Sequence, residues 1–429
     1  MDISNRIDLP KTNEITKKKK IQPVIGLALF IAVVVFGVVK GNVDQKLTLF
    51  LMTGLALGYI LTRSRYGFAG GFKRIYVTGE GSLSTALLVM FALAMVLAAG
   101  IQWSATMSGA DVPGLSSVKF LNISILLGGF IFGIGMMLAG GCASGTLSDL
   151  GEGAGRAMIA MTTFVLGSLP GLMAQDALNN SAIGQIGIKL YLPDVLGYVG
   201  AVVVSLLMLA GLYLVVRKYE NFRKKEGYYE ATVYEDQELP IPNQEPFKLF
   251  SYATFHKLFV QRWSFMIGGI LLALMFAFIL ISTGHSWGVT GPFVSWGVAF
   301  LQLFGVQFTA PVFADAVATA NGGILNDPGS LRNIGIILGA AIAFLLAGRF
   351  AFDGKFKVKD VIYYLIGGFL MGFGARLAGG CNIGALFSGI ANFSLSGWGF
   401  FLTLWLGGIL ALKVFAGKVN IIPPDRYQK

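Results

Sequence analysis

Ten apolar runs constrain this chain more than any other feature of its sequence. They fall at residues 21–39, 47–62, 83–101, 118–139, 157–175, 195–216, 263–283, 333–351, 361–379 and 397–416. Each approaches the roughly 20 apolar residues that carry a helix across a hydrocarbon core. In lipid every backbone N–H and C=O must be satisfied within the protein, so such runs fold as helices rather than open strands. The charge content of 13% agrees, since soluble domains carry about 25%. The 58 glycines suit helices that pack closely in a bilayer. We read an all-α, polytopic membrane protein.

Basic residues set the orientation. With the N-terminus inside, 27 Lys and Arg fall in cytoplasmic segments and 5 outside, leaving Arg376 within a span. This is a strong positive-inside bias. It predicts cytoplasmic tails at 1–20, with Lys17–Lys20 as an anchor, and at 417–429. The one sizeable soluble piece is the loop 217–262. Its 8 basic and 7 acidic residues read as a solvated linker rather than a nucleic-acid arm. No nucleic-acid partner is expected despite the net charge of +11. Residues 263–331 hold no Lys or Arg and are cut by Gly284, Gly288, Gly291, Pro292, Pro311 and Gly322–Gly323. They read as a span followed by re-entrant or broken helices, which survive at membrane depth only where protein or a water-filled cavity satisfies the backbone.

The chain also repeats itself. Residues 128–147, GGFIFGIGMMLAGGCASGTL, return at 367–386 as GGFLMGFGARLAGGCNIGAL, with 12 identities in 20. A weaker echo pairs Gly67–Phe72 with Gly288–Phe293. The two membrane repeats are 21–175 and 195–416, with five spans each. Five is odd, so the halves insert in opposite orientations. Inverted repeats with interrupted helices and a midplane site are an architecture of transporters.

The repeat points to a site. The only two cysteines, Cys142 and Cys381, occupy equivalent positions. Each follows a glycine pair, Gly140–Gly141 or Gly379–Gly380, and precedes an apolar segment too short to span. The glycines permit a tight turn with positive φ. A half-helix starting at each cysteine aims free N–H groups and a positive dipole end at the midplane. The thiol adds a polarizable donor, and the helix end lowers its pKa. A cysteine is also a small residue that suits a helix crossing, and the pair could form a disulfide. Arg376, five residues before Cys381, is either an anion attractor or a clamp on carbonyls of the broken helix. Ser144 and Asn382 either cap the half-helices or donate to an anion. Asp149 and Asp315 read as interface or capping residues, and His285 as an outer-interface residue.

Two cysteines and two histidines exclude a disulfide framework, cysteine-ligated clusters and histidine-based metal chemistry. No hydrolase, zincin or Walker motif is present. Neither a cofactor nor an enzymatic activity is expected.

The Leu-Ala-Gly-Gly-Cys repeats, the segment Thr62-Arg-Ser-Arg-Tyr-Gly-Phe-Ala-Gly-Gly-Phe-Lys-Arg74 and Trp287-Gly-Val-Thr-Gly291 resemble the YeeE/YedE family of prokaryotic inner-membrane proteins. The tail Gly372–Asn382 with Phe393–Trp398 looks most like the YedE branch linked to selenium metabolism. The resemblance implies uptake of thiosulfate or a related sulfur or selenium anion through an hourglass-shaped fold. Pathway thiols would hand the anion along, roles that fall on Cys142 and Cys381. A further family cysteine aligns with Gly67, so this chain departs from the three-cysteine pattern. Some members work beside a small cytosolic sulfur carrier protein. The alternatives are a membrane persulfide relay enzyme and a scaffold for a redox enzyme.

Overall fold

The computed structural model describes residues 17–232, 234–241 and 251–424. Most of the expected N-terminal tail and the end of the C-terminal tail lie outside them. The helices in chain order are α1 (Lys17–Gly41), α2 (Gln45–Arg63), α3 (Phe68–Val77), α4 (Ser82–Ser108), α5 (Ile123–Ala139), α6 (Ala143–Glu152), α7 (Gly155–Asn179) and α8 (Leu192–Lys225). Then come α9 (Tyr252–Phe255), α10 (Phe265–Thr283), α11 (Gly291–Gln302), α12 (Ala314–Gly322), α13 (Pro328–Leu346), α14 (Val358–Leu377), α15 (Ser388–Ala391) and α16 (Leu395–Val414). A short antiparallel ribbon pairs Phe120–Asn122 with Gly187–Lys189.

Ten helical stretches among the described residues are long and apolar enough to cross a membrane, matching the ten runs. Their starts are fixed by side-chain caps. Asp44, Asn122, Ser264 and Asp327 each accept from an N–H of the first turn of α2, α5, α10 and α13; caps satisfy donors that a helix start leaves orphaned. The region 263–331 is one span, α10, followed by the shorter helices α11 and α12, as the glycines and prolines imply.

Packing follows small residues. α5 crosses α14, which carries the repeated sequence. A Cβ on Gly128 would stand 2.7 Å from Gly374 O, and one on Gly135 the same distance from Gly367 O. Under the repeat, Gly128 corresponds to Gly367 and Gly135 to Gly374, so the contact is reciprocal. Other helix pairs obey the same correspondence: α7 on α14 matches α16 on α5, α13 on α2 matches α4 on α10, and α1 on α13 matches α8 on α4.

The second copy holds one residue more. Cys142 and Cys381 are 239 apart, whereas α7 and α16 begin 240 apart, at Gly155 and Leu395. The extra residue falls where Asn382–Phe387 form a π-helix, the wider coil that absorbs a single insertion. Gly153 and its counterpart Phe393 both take a positive φ, 90° and 59°.

The loop 217–262 is not a solvated linker. α8 continues to Lys225, and Glu220, Arg223, Glu238 and His256 are buried. Balanced charge reads as solvation in a sequence; here Glu235 and Glu238 find Arg65 and Arg349 from other segments. The tail from 417 likewise folds back, with Tyr364 Oη donating to Asn420 Oδ1 at 2.6 Å.

Candidate functional site

Each cysteine sits at the start of a half-helix behind a glycine hinge. Gly140 has φ 78° and Gly379 φ 64°, the left-handed region that glycine enters without strain. The chain then turns extended at Cys142 and Cys381, the N-cap residues of α6 and of the π-helix that runs on into α15. Both thiols are free and both are buried in one continuous core. No disulfide joins them. Cys381 Sγ accepts from Ile383 N–H at 3.4 Å, and Cys142 Sγ lies 3.4 Å from Ser144 Oγ.

The two half-sites meet. Asn382 Nδ2 donates to Met136 Sδ at 3.2 Å, which rests the second half-site on the helix leading to the first. Beside the thiols the glycines leave room. A Cβ on Gly384 would meet nothing within 4 Å, and one on its counterpart Gly145 would meet only Cys142 Sγ, at 3.7 Å.

A cation binds the hinge carbonyl in each half. Arg156 donates to Ala139 O at 3.4 Å and Gly140 O at 3.2 Å, and pairs with Asp149 at 2.6 Å. Lys119 donates to Gly379 O. Arg376 is therefore not the carbonyl clamp. It donates instead to Thr290 Oγ1 at 2.9 Å, and its buried Nε has no hydrogen-bond partner. Thr290 is the N-cap residue of α11, in the segment that echoes Gly67. Beside the Gly379 hinge opens a cavity of about 460 Å3 lined by Lys119, Asn122, Gln175, Asn179 and Gln185. Lys119 precedes the span; burial, then the nearby Arg376, pushes its ammonium down to about 8.

The structure buries Cys142, Cys381, Ser144 and Asn382 in the core, and sets the Gly140 and Gly379 hinges at opposite ends of the α5–α14 pair. Ser144 and Asn382 do not cap their helices; Asn382 Oδ1 is a buried acceptor without a hydrogen-bond partner. Gly141 and Gly380 complete the turns without a positive φ. Gly67 is the N-cap residue of α3. Asp149 is the ion-pair partner of Arg156, while Asp315 and His285 are exposed. Trp287, next to His285, is fully buried with its ring centroid 6.2 Å from that of Phe387. The sequence reading missed Lys119, Arg156 and Thr290. No local signal in the sequence marked any of the three. No group of metal-ligating side chains occurs among the described residues. The assembled groups are thiols, helix-start N–H groups, amides and two cations, which can solvate a small anion but offer no nucleophile–base pair.

Known proteins resemble this chain in sequence. A family described as sulphur transport matches residues 63–410. A thiosulfate transporter, TsuA, of Spirochaeta thermophila is 28% identical over 81% of this chain and 92% of its own length. The Escherichia coli thiosulfate transporter TsuA is 26% identical over 81% of this chain and 88% of its own. The probable transporter YedE of Escherichia coli is 32% identical, over 41% of this chain and 43% of its own. With most of its length matched, and with ten apolar helices around the paired thiols, the chain belongs to the sulphur-transport family of multi-pass membrane transporters.

Proposed function

We propose that this chain moves a small sulfur oxyanion of the thiosulfate type across the prokaryotic inner membrane, both termini facing the cytoplasm. The observation that carries the reading is the pair of glycine-hinged thiols in one core, with the unpartnered Nε of Arg376 nearby. In the proposed pathway the anion meets Lys119 and Arg376 from outside. It passes Cys381 and Cys142, whose thiols and helix-start N–H groups replace its water, and leaves by the Gly140 hinge. Rapid passage needs several weak stations rather than one tight one. The reciprocal glycine contacts of α5 and α14 support two inverted repeats, 21–175 and 195–416. A small cytosolic sulfur carrier would receive the product on the inner face, and a selenium oxyanion of similar shape would share the route. The persulfide-relay alternative is not favoured, since the full-length relatives are named as transporters.

The test is uptake of labelled thiosulfate into proteoliposomes holding the full chain, with selenite as comparator. Wild type concentrates label inside; Cys381→Ala does not, while remaining monodisperse and helical. Wild-type uptake by that variant removes the thiol from the mechanism.

A further inference from the structure

We infer that an arginine cage on the cytoplasmic side is a further oxyanion station, held shut by Glu238 as a tethered carboxylate; this rests on the transport reading above. Glu238 is 6% exposed although it belongs to the polar loop. Its carboxylate meets Arg65 at 3.2 Å, Arg262 at 3.8 Å and Arg349. Guanidinium forks match oxyanions in geometry, and several together favour a divalent anion over a carboxylate. The cage is not saturated. Nε and Nη2 of Arg262 are buried without a hydrogen-bond partner. Beside it lies a cavity of about 460 Å3 lined by Arg65, Glu152, Glu235, Gln237, Arg349 and Asp353.

The cage is tied to the pathway. Arg65 stands two residues before Gly67 and pairs with Glu152 at 2.8 Å. Glu152 ends α6, the helix that Cys142 begins, so the cage lies roughly 15 Å from that thiol along the helix. Arg65 also has φ 50°, a conformation uncommon for any residue but glycine and one that recurs at functional sites. The repeat supplies the control. On the opposite face, Arg65 and Glu152 correspond to Ser286 and Asn392, which hydrogen-bond at 2.9 Å. The same corner is thus neutral outside and charged inside, so the ion pairs are not demanded by the fold.

The strap is segment 235–241, docked on 251–262. Arg262 N–H donates to Glu238 O at 3.1 Å, and His256 Nε2 lies 3.1 Å from Gln237 O, joining 235–241 to 251–262. A dianion arriving at the cage competes with Glu238 for the three arginines, releases 235–241 and opens the inner mouth.

Val260 is buried in the segment on which the strap docks and reports on it. The full chain carrying Val260→Cys is purified in detergent and its maleimide labelling rate measured, with the unsubstituted chain as background. Glu238→Gln raises the rate about tenfold, as a loss of about 1.4 kcal/mol in docking would. Thiosulfate raises it in the Glu238 protein; sodium chloride of equal ionic strength does not. Labelling unchanged by Glu238→Gln overturns the lock. Equal effects of chloride and thiosulfate overturn the anion station. Neither readout needs transport, so a failed uptake assay would strike the transport reading separately.

Discussion

Replacing Arg376 by Gln tests what its charge does. Gln is shorter than Arg, so the 2.9 Å hydrogen bond to Thr290 Oγ1 is lost with the charge, and Arg376→Lys, which restores only the charge, separates the two effects. The charge lost stands close to Cys381, near enough for the two groups to interact electrostatically. At about 7 Å and an effective dielectric of about 20, a unit charge contributes about 2 kcal/mol. A monoanion held at the thiols should therefore bind about 30-fold more weakly, and a dianion more weakly still. The assay is the concentration dependence of initial thiosulfate uptake into proteoliposomes. The expected result is a raised half-saturation concentration, restored in large part by Arg376→Lys. Should Arg376→Gln show wild-type concentration dependence while folded, Arg376 is a structural tie to α11 and the electrostatic argument fails.

Lys119 sets a pH limit: burial and Arg376 lower its pKa to about 8, so its charge is lost as pH rises through that value. Uptake should fall above about pH 8, and Lys119→Arg should flatten the profile. Stability moves the other way, because between about 8 and the ordinary 10.5 the unfolded chain holds the extra proton. His256 lies below its ordinary 6.5 through burial and the nearby Arg63, opposed by its bond to Gln237 O. Docking of the strap is thus fully supported above about pH 6.5 and weakens below it, which labelling of Val260→Cys across pH would show. Gly372→Ala should destabilise the chain by about 1–3 kcal/mol through overpacking, read as a lowered unfolding temperature, because its Cβ would stand 2.0 Å from Phe164 O. Gly67→Cys should fold, since the nearest atom to a Cβ there is 3.9 Å away, and should transport thiosulfate at least as fast as wild type.

The spans were legible because lipid punishes unpaired backbone and charge alike, leaving a composition signal that needs no partner to be read. The hinges were legible because the same glycine pair and cysteine occur twice; one copy would have looked like packing. What stayed hidden depends on which distant loop returns to which hinge. Lys119 reaches a carbonyl 260 residues away, and nothing local to either residue encodes that meeting. Arg376 was visible as a buried charge, but its partner Thr290 was not, so clamp and attractor could not be told apart. The loop 217–262 misled for the same reason. Its near-neutral charge counts as solvated only if its partners are its own neighbours, whereas Glu238 pairs with Arg65 and Arg349 from either end of the membrane part.

The two hinges share a backbone and differ in charge, and the difference gives the pathway a direction. At the Gly140 hinge the cation Arg156 is matched by Asp149 at 2.6 Å, so that half is close to neutral. At the Gly379 hinge Lys119 and Arg376 stand together and are bonded to a carbonyl and a hydroxyl, with no carboxylate pairing either one among the described residues. An anion therefore meets unneutralised positive charge at the Gly379 hinge and a compensated pair at the Gly140 hinge. Two identical half-helix ends alone would make a symmetric well, equally easy to reach from either face. Uneven neutralisation deepens the approach at the Gly379 hinge relative to that at Gly140. A duplicated scaffold supplies the site, and the few positions where the copies diverge supply its polarity.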